Sequence, residues 1–352
     1  MAEILGIGCS HGPHLQLTDE AMAEVYFRPN LHSEKTLPEW KDPANWPAAL
    51  REEWGSDEGV AAARRHRAAV LKGFHAARQA LDDFQPDFVV IFGDDQYENF
   101  KEDLLPPFCV YAMDEFNLPQ QRQGSGPRGW DFLERPPLQS TVRGSKRIGT
   151  FLADELVARG FDVSCSWKLH HREALAHAFY NTIDYLDWDR SGFPYPVVPF
   201  HVSCYGSDLR VPVPNAEVVS GRLMEDVAVR PAAAPPPWRC YDTGRALGQI
   251  IAESPYRAVI VGSSSWSHAS LTAMHGYMWG DVESDREHLE QLRRGEFRAW
   301  RDLDADQVKQ SGQHEMRNWI CLAGAMEGRQ ADVLSYAESY VFNSSKCVAL
   351  FR

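Results

Sequence analysis

Short apolar runs that stop at a glycine and hand over to a polar loop recur along this chain. Ile4-Leu5-Gly6-Ile7 stops at Gly8 and delivers Ser10, His11 and His14. Phe88-Val89-Val90-Ile91-Phe92 stops at Gly93 and delivers Asp94, Asp95 and Gln96. Ala258-Val259-Ile260-Val261 stops at Gly262 and delivers Ser267 and His268. Residues 162–167 alternate with a period of two and lead into Leu169-His170-His171. An unbroken apolar run describes a strand covered on both faces, as in the interior of an α/β sheet. Between these runs the apolar spacing turns to three and four, which predicts helices over 58–85, 144–159, 177–188, 242–253 and 283–310, with a last one from Gln313 to Met326. Further strands are expected over 108–112, 196–202 (edge or short), 340–342 and 348–351. The pattern predicts an α/β fold: one domain over 1–352, a mixed central sheet with helices on both faces, and a site at the carboxyl edge of the strands, where loops of an open sheet converge.

Two stretches break the alternation. Residues 18–59 hold Pro29, Pro38, Pro43, Pro47, Trp40, Trp46 and Trp54 and show little periodicity. A segment of that length reads as a lid or wrap, packed down because its indoles need burial. Residues 230–237 are rich in Pro and Ala; alternation resumes after them, so they read as a surface connection and not as a boundary between domains.

Composition narrows the class. The 352 residues are 44% hydrophobic and 24% charged, ordinary for a chain that buries a core, and the net charge is −13. That charge argues against nucleic acid as partner, which requires a cationic footprint. No apolar run approaches the ~20 residues of a membrane span. The N-terminus lacks a basic region followed by an apolar core, so a cytoplasmic location is expected. The seven cysteines are scattered with no Cys-x-x-Cys pair, which suits reduced thiols and neither a disulfide frame nor a thiolate metal site. Assembly as a homo-oligomer is the default expectation.

Histidines and carboxylates gathered at strand ends without cysteine suit iron(II), with manganese(II) or zinc(II) as alternatives. Two histidines and one carboxylate on one face leave open positions for a substrate and dioxygen. A further histidine beside the metal is suited to moving protons near neutral pH. His177 and His201 read as structural, although either could line a pocket, and His32, His66, His75 and His288, set among charges, as solvated.

Short motifs from Gly6 to about Met326 resemble the class III extradiol ring-cleavage dioxygenases, the superfamily of the protocatechuate 4,5-dioxygenase catalytic subunit. Ser10-His11-Gly12-Pro13 resembles the turn carrying that family's first iron histidine. Gly262 through Ser267-His268 resembles the turn of its catalytic histidine. Glu315, followed by Trp319 and Gly324-Ala325, resembles its carboxylate ligand at the start of a late helix. His171 in Leu169-His170-His171 matches a loop histidine that contacts substrate or oxygen. One motif departs: the family's second iron histidine stands in an Asn-Asp-His turn, and this chain has Asp94-Asp95-Gln96. Three arrangements stay open: Gln96 or Asp95 ligates the metal, His14 turns inward as the second histidine, or the metal is lost. The resemblance implies cleavage of a catechol-like aromatic ring by iron(II) and dioxygen, with His268 as base and then acid and His171 steadying developing charge. Another metal-dependent reaction in the same site, such as hydrolysis or a different oxidative carbon–carbon cleavage, and a non-catalytic scaffold are the alternatives.

Overall fold

Eight strands carry the architecture: β1 (Glu3–Cys9), β2 (Phe88–Gly93), β3 (Phe108–Tyr111), β4 (Ser164–Ser166), β5 (Val197–Val202), β6 (Arg257–Ser263), β7 (Ala331–Ala337) and β8 (Lys346–Phe351). They form one sheet in the order β7-β8-β1-β6-β2-β5-β3-β4. The middle strands β1, β6, β2 and β5 are mutually parallel. β8 runs antiparallel to β1, β3 runs antiparallel to β5, and β4 follows the direction of β3. The computed structural model describes residues 3–34, 36–101, 103–119, 124–125, 130–206 and 234–352, so residues 230–233 of the 230–237 connection lie outside the described residues.

The period of two decides which face each side chain covers. Phe88, Val90 and Phe92 of β2 join a core that includes Leu247, Trp319 and Leu152. Val89 and Ile91, the residues between them, join a second core with Val70, Phe74 and Ile183. Helices α5 (Lys146–Ala158), α7 (Pro237–Ala252) and α10 (Met316–Ala325) lie on the first face, and α4 (Val60–Phe84) and α6 (His177–Leu186) on the second. The predicted mixed sheet covered on both faces is what the chain builds.

α7 and α10 pack backbone against backbone. A Cβ on Gly244 would stand 1.8 Å from the Cys321 carbonyl oxygen, and one on Gly324 would stand 1.9 Å from that of Tyr241. Only glycine permits this approach, which fixes the position of α10 and of Glu315 immediately before it.

Several boundaries differ from the sequence reading for local reasons. α7 begins at Pro237 rather than Asp242, because proline suits the first helical position, where its missing N–H costs nothing. β5 is an interior strand despite Pro199, buried along its whole length between β2 and β3. No strand forms over 340–342. There the Ser339 hydroxyl and the Glu53 carboxylate accept the N–H groups of 340–342 in a turn, and β7 supplies the edge strand instead. The acidic helices predicted over 283–310 are α8 (Val282–Arg294) and α9 (Ala305–Gln310), with a 3-10 turn (Phe297–Asp302) between them.

The wrap over 18–59 forms α1 (Asp19–Glu24), α2 (Phe27–His32) and α3 (Ala48–Trp54) with two 3-10 turns. Phe27, Trp46 and Leu50 pack with Trp279 and Phe342 in a third core. His66 and His288 are buried, against the expectation of solvated rings. Among the described residues no helix is long and apolar enough to cross a membrane.

Candidate active site

The loops leaving β1, β2, β5 and β6 open on the same edge because those four strands run the same way. His11, two residues past β1, is 2% exposed. Its Nδ1–H donates to the Ser263 carbonyl at the end of neighbouring β6, 2.9 Å away. That tautomer leaves the Nε2 lone pair facing Glu315 Oε2 at 3.4 Å and Asp94 Oδ1 at 3.6 Å. Burial lowers the His11 pKa to about 4, against the pull of Glu315, so the ring is neutral and free to donate its lone pair. α6 fixes the loop from above: Asn181 Nδ2 donates to the His11 carbonyl at 2.8 Å, and the Thr182 and Ser263 hydroxyls meet at 2.5 Å.

Glu315 stands immediately before α10, and its two oxygens do different work. Oε1 accepts hydrogen bonds from Gln96 Nε2, at 3.0 Å, and from the Tyr205 hydroxyl. Oε2 faces His11 and, at 3.5 Å, His268 Nε2. Burial raises the Glu315 pKa, but His268 and His11 outweigh it and bring it to about 2. Asp94 is pushed the other way, well above the usual carboxylate range, by burial and by the Glu315 charge. Its Oδ1 accepts from Asn318 Nδ2 at 3.2 Å, and its buried Oδ2 has no hydrogen-bond partner among the described residues.

His268 leaves β6 through Ser264, Ser265, Trp266 and Ser267. Its Nδ1–H donates to the Trp266 carbonyl at 3.2 Å and its backbone N–H to the Gly312 carbonyl at 3.1 Å. Asp285 accepts the Ser267 N–H at 2.9 Å and sets the turn. Burial lowers the His268 pKa, leaving a neutral ring with Nε2 aimed at the Glu315 side of the site.

A cavity of about 830 Å³ opens over this group, with His11, Gln96, Tyr205, His268 and Glu315 on its wall and Val25, Pro29, Phe132 and Leu271 as apolar sides. The structure brings His11, His268, Glu315 and Gln96 together, but Gln96 reaches the carboxylate as a donor. His14 sits on the cavity wall against the Tyr26 ring, 4.3 Å between centroids, and neither ring nitrogen has a hydrogen-bond partner among the described residues. Asp95 turns away to accept the Glu98 and Asn99 N–H groups, which makes it the staple of its own loop. His171 is not on the cavity wall. Its ring donates to the Asn99 carbonyl at 2.9 Å and faces Asp103 at 3.3 Å. β4 runs opposite to the central four, and the loop after it comes back to the cavity with Arg172, not His171, on the wall.

Sequence reasoning underrated three residues here. Asp94 shared a turn with the residues that drew attention. Tyr205 follows β5, whose interior position a proline-containing run concealed. His177 is the first residue of α6, its ring 5.1 Å from that of His11. A histidine at the positive end of a helix, with no acidic residue in the first turn, is an unfavourable placement for its charged form and is the one local signal that pointed to it. Burial opposes the charge, but Glu98, then Asp94 and Glu315, raise its pKa to about 9.

The donors present are imidazole nitrogens and carboxylate oxygens, with one carboxylate oxygen buried and unpartnered. That chemistry fits iron(II), manganese(II) or zinc(II), and His11, Asp94 and His177 each place a donor atom within 4.8 Å of the other two.

Comparison with known proteins agrees. Residues 223–348, which include His268 and Glu315, match the family described as the catalytic LigB subunit of aromatic ring-opening dioxygenase. A 2,3-dihydroxyphenylpropionate/2,3-dihydroxicinnamic acid 1,2-dioxygenase of Comamonas testosteroni is 29% identical over 200 residues, 57% of this chain and 49% of that one. A protein of the same name from Paraburkholderia xenovorans (strain LB400) is 24% identical over 296 residues, 72% of this chain and 79% of the relative. The chain thus spans about half the length of the first relative and more of the second. These matches bear out the resemblance to the class III extradiol dioxygenases that the Ser10-His11, Ser267-His268 and Glu315 motifs carried.

Proposed function

We propose that this protein is a metal-dependent dioxygenase that opens the aromatic ring of a catechol-like substrate with dioxygen. One observation carries the reading: a neutral buried histidine, His268, faces the same carboxylate oxygen as His11 at the floor of a cavity with apolar walls. His11 and Glu315 would hold the metal, with Asp94 beside them. A divalent metal there, iron(II) by the resemblance, acidifies a vicinal diol and gives electron density a route from the ring to dioxygen.

The chain's own groups supply the rest. Val25, Pro29, Phe132 and Leu271 offer apolar surface to a flat ring and keep bulk water from its faces. His268 Nε2 takes a proton from a substrate hydroxyl, since its Nδ1 is committed to the Trp266 carbonyl, and returns it later as a general acid. Gln96 and Tyr205 hold Glu315 Oε1, so that Oε2 stays turned inward. His14 borders the space a ring substituent would enter.

The test is oxygen uptake. Protein loaded anaerobically with iron(II) and given a panel of vicinal diols, the 2,3-dihydroxyphenyl acids named for the relatives included, consumes oxygen on admission of air and forms a yellow ring-opened product with at least one of them. A loaded protein that consumes oxygen with none of them rules ring cleavage out. Gln96, where the family carries histidine, favours a second reading, a different metal-dependent reaction on the same residues, and that negative result would promote it.

A further inference from the structure

We propose that His177 supplies the second histidine of this chain's metal centre, seated from the start of α6 instead of from the loop after β2. This rests on the reading of the site as metal-dependent.

The donor atoms already stand in place. His177, His11 and Asp94 each offer one atom within 4.8 Å of the others, a separation that a single ion can bridge with modest side-chain movement. Both imidazoles are also held as metal-binding imidazoles are held, with the far nitrogen tied down by an oxygen acceptor. For His11 the acceptor is the Ser263 carbonyl. For His177 it is Glu98, with Nδ1 3.4 Å from Oε1, while Glu98 Oε2 accepts the backbone N–H of the same residue at 2.6 Å. One carboxylate therefore fixes both the backbone and the ring of His177 and leaves the other ring nitrogen for the cluster.

Helix geometry explains why α6 can do this. Residues four apart share a helix face, and Asn181, four residues on, is the side chain that bonds the His11 carbonyl. The face of α6 that braces the His11 loop is thus the face that carries His177. Meanwhile Gln96 is engaged elsewhere: its Nε2 donates to Glu315 Oε1 and, at 3.1 Å, to the Tyr205 hydroxyl. The residue in the family's histidine position has become a brace for the carboxylate, and the imidazole enters from α6.

Metal binding tests the exchange without reference to turnover. Metal-free protein is titrated anaerobically with iron(II) and separately with cobalt(II), whose visible absorption reports the donor set. Wild type binds one equivalent. His177→Ala weakens binding by about tenfold or more and shifts the cobalt bands, whereas Gln96→Ala weakens it less and keeps the bands. His177→Ala combined with Gln96→His recovers affinity, because an imidazole returns from the β2 side. Glu98→Gln keeps the ring but loosens its anchor and gives an intermediate loss, which covers the case in which His177→Ala folds poorly. His177→Ala with wild-type affinity and spectrum, or no effect of Glu98→Gln together with no recovery in the double variant, overturns the assignment. A wild type that binds neither ion overturns the metal-dependent reading itself. Metal binding that follows the expected series, with no oxygen uptake on any diol, removes ring cleavage and leaves the ligand assignment standing.

Discussion

The loop that leaves β1 and the loop that leaves β4 carry the same kinds of residue and occupy opposite settings. His11 follows a strand flanked on both sides, by β6 and β8, and its ring is anchored by the end of β6. His171 follows a three-residue strand at the edge of the sheet, with β3 as its sole neighbour in the sheet. The His11 ring is buried among carboxylates and imidazoles that approach from β2, α6 and α10. The His171 side chain is 31% exposed, and its charged neighbour Asp103 is 61% exposed. A polar loop at a strand end becomes a site only where parallel neighbours bring further loops to the same edge and a helix closes over them. β4 has a single parallel neighbour, β3, and its loop reaches the cavity wall through Arg172, while the His171 ring turns aside to the Asn99 carbonyl.

The largest expected effect breaks the favourable side of that comparison. His268→Gln keeps stoichiometric metal but lowers kcat by roughly 10²–10⁴ on whichever diol proves to be a substrate, the range for loss of a general acid–base. Glu315→Ala, at the same oxygen-facing corner, loses the metal. Metal analysis beside steady-state rates checks both, and equal metal with full activity in the two variants would remove the assigned roles.

What could be read from the chain alone follows the same line. His11, His268 and Glu315 sit in local patterns, two in the turn after a buried strand and one at a helix start, so their neighbours in sequence are also their neighbours in space. The two covered faces of the sheet were likewise readable, because alternation along Phe88-Val89-Val90-Ile91-Phe92 is a local property. His171 lies off the cavity wall while Arg172, the next residue, lies on it, and which of the two faces the cavity is not written in the local pattern of that loop. His177 was read as structural for the complementary reason. Its partner Glu98 is 79 positions away, and nothing near it in the chain announces that α6 lies across the His11 loop. Gln96 was rightly singled out as a departure, but its use as a donor to Glu315 depends on a contact across 219 positions.

An intermediate effect tests how far the central strands hold the site through packing. Gly8 lies in β1 under the indole of Trp319, where a Cβ would stand 2.2 Å from the ring carbons. The indole cannot slide freely, since its N–H donates to the Ser264 carbonyl at 2.8 Å and the ring is fully buried. Gly8→Ala must push α10 outward, at a cost of roughly 1–3 kcal/mol for overpacking, and Glu315 moves with the helix it precedes. A lower urea midpoint together with weaker metal binding is expected. Unchanged stability would show that α10 gives way more easily than its backbone contact with α7 suggests.

The smallest effect is expected at His171, and it sharpens the contrast from the other side. Its ring donates to a backbone carbonyl and meets an exposed aspartate, and partly exposed ion pairs of this kind contribute about 0–1 kcal/mol. The Asn99 carbonyl left behind by His171→Ala sits beside a half-exposed side chain, so water can replace the lost donor. Asn99 also remains fixed by its backbone N–H to Asp95 and its side-chain amide to the Ala174 carbonyl. Stability should therefore shift by no more than about 0.5 kcal/mol, with metal affinity unchanged and kcat within about twofold. If His171→Ala instead lowers kcat steeply while KM and metal content hold, the His171 ring must turn during turnover toward the cavity that Arg172 beside it already lines. The difference between the two loops would then be one of timing and not of place.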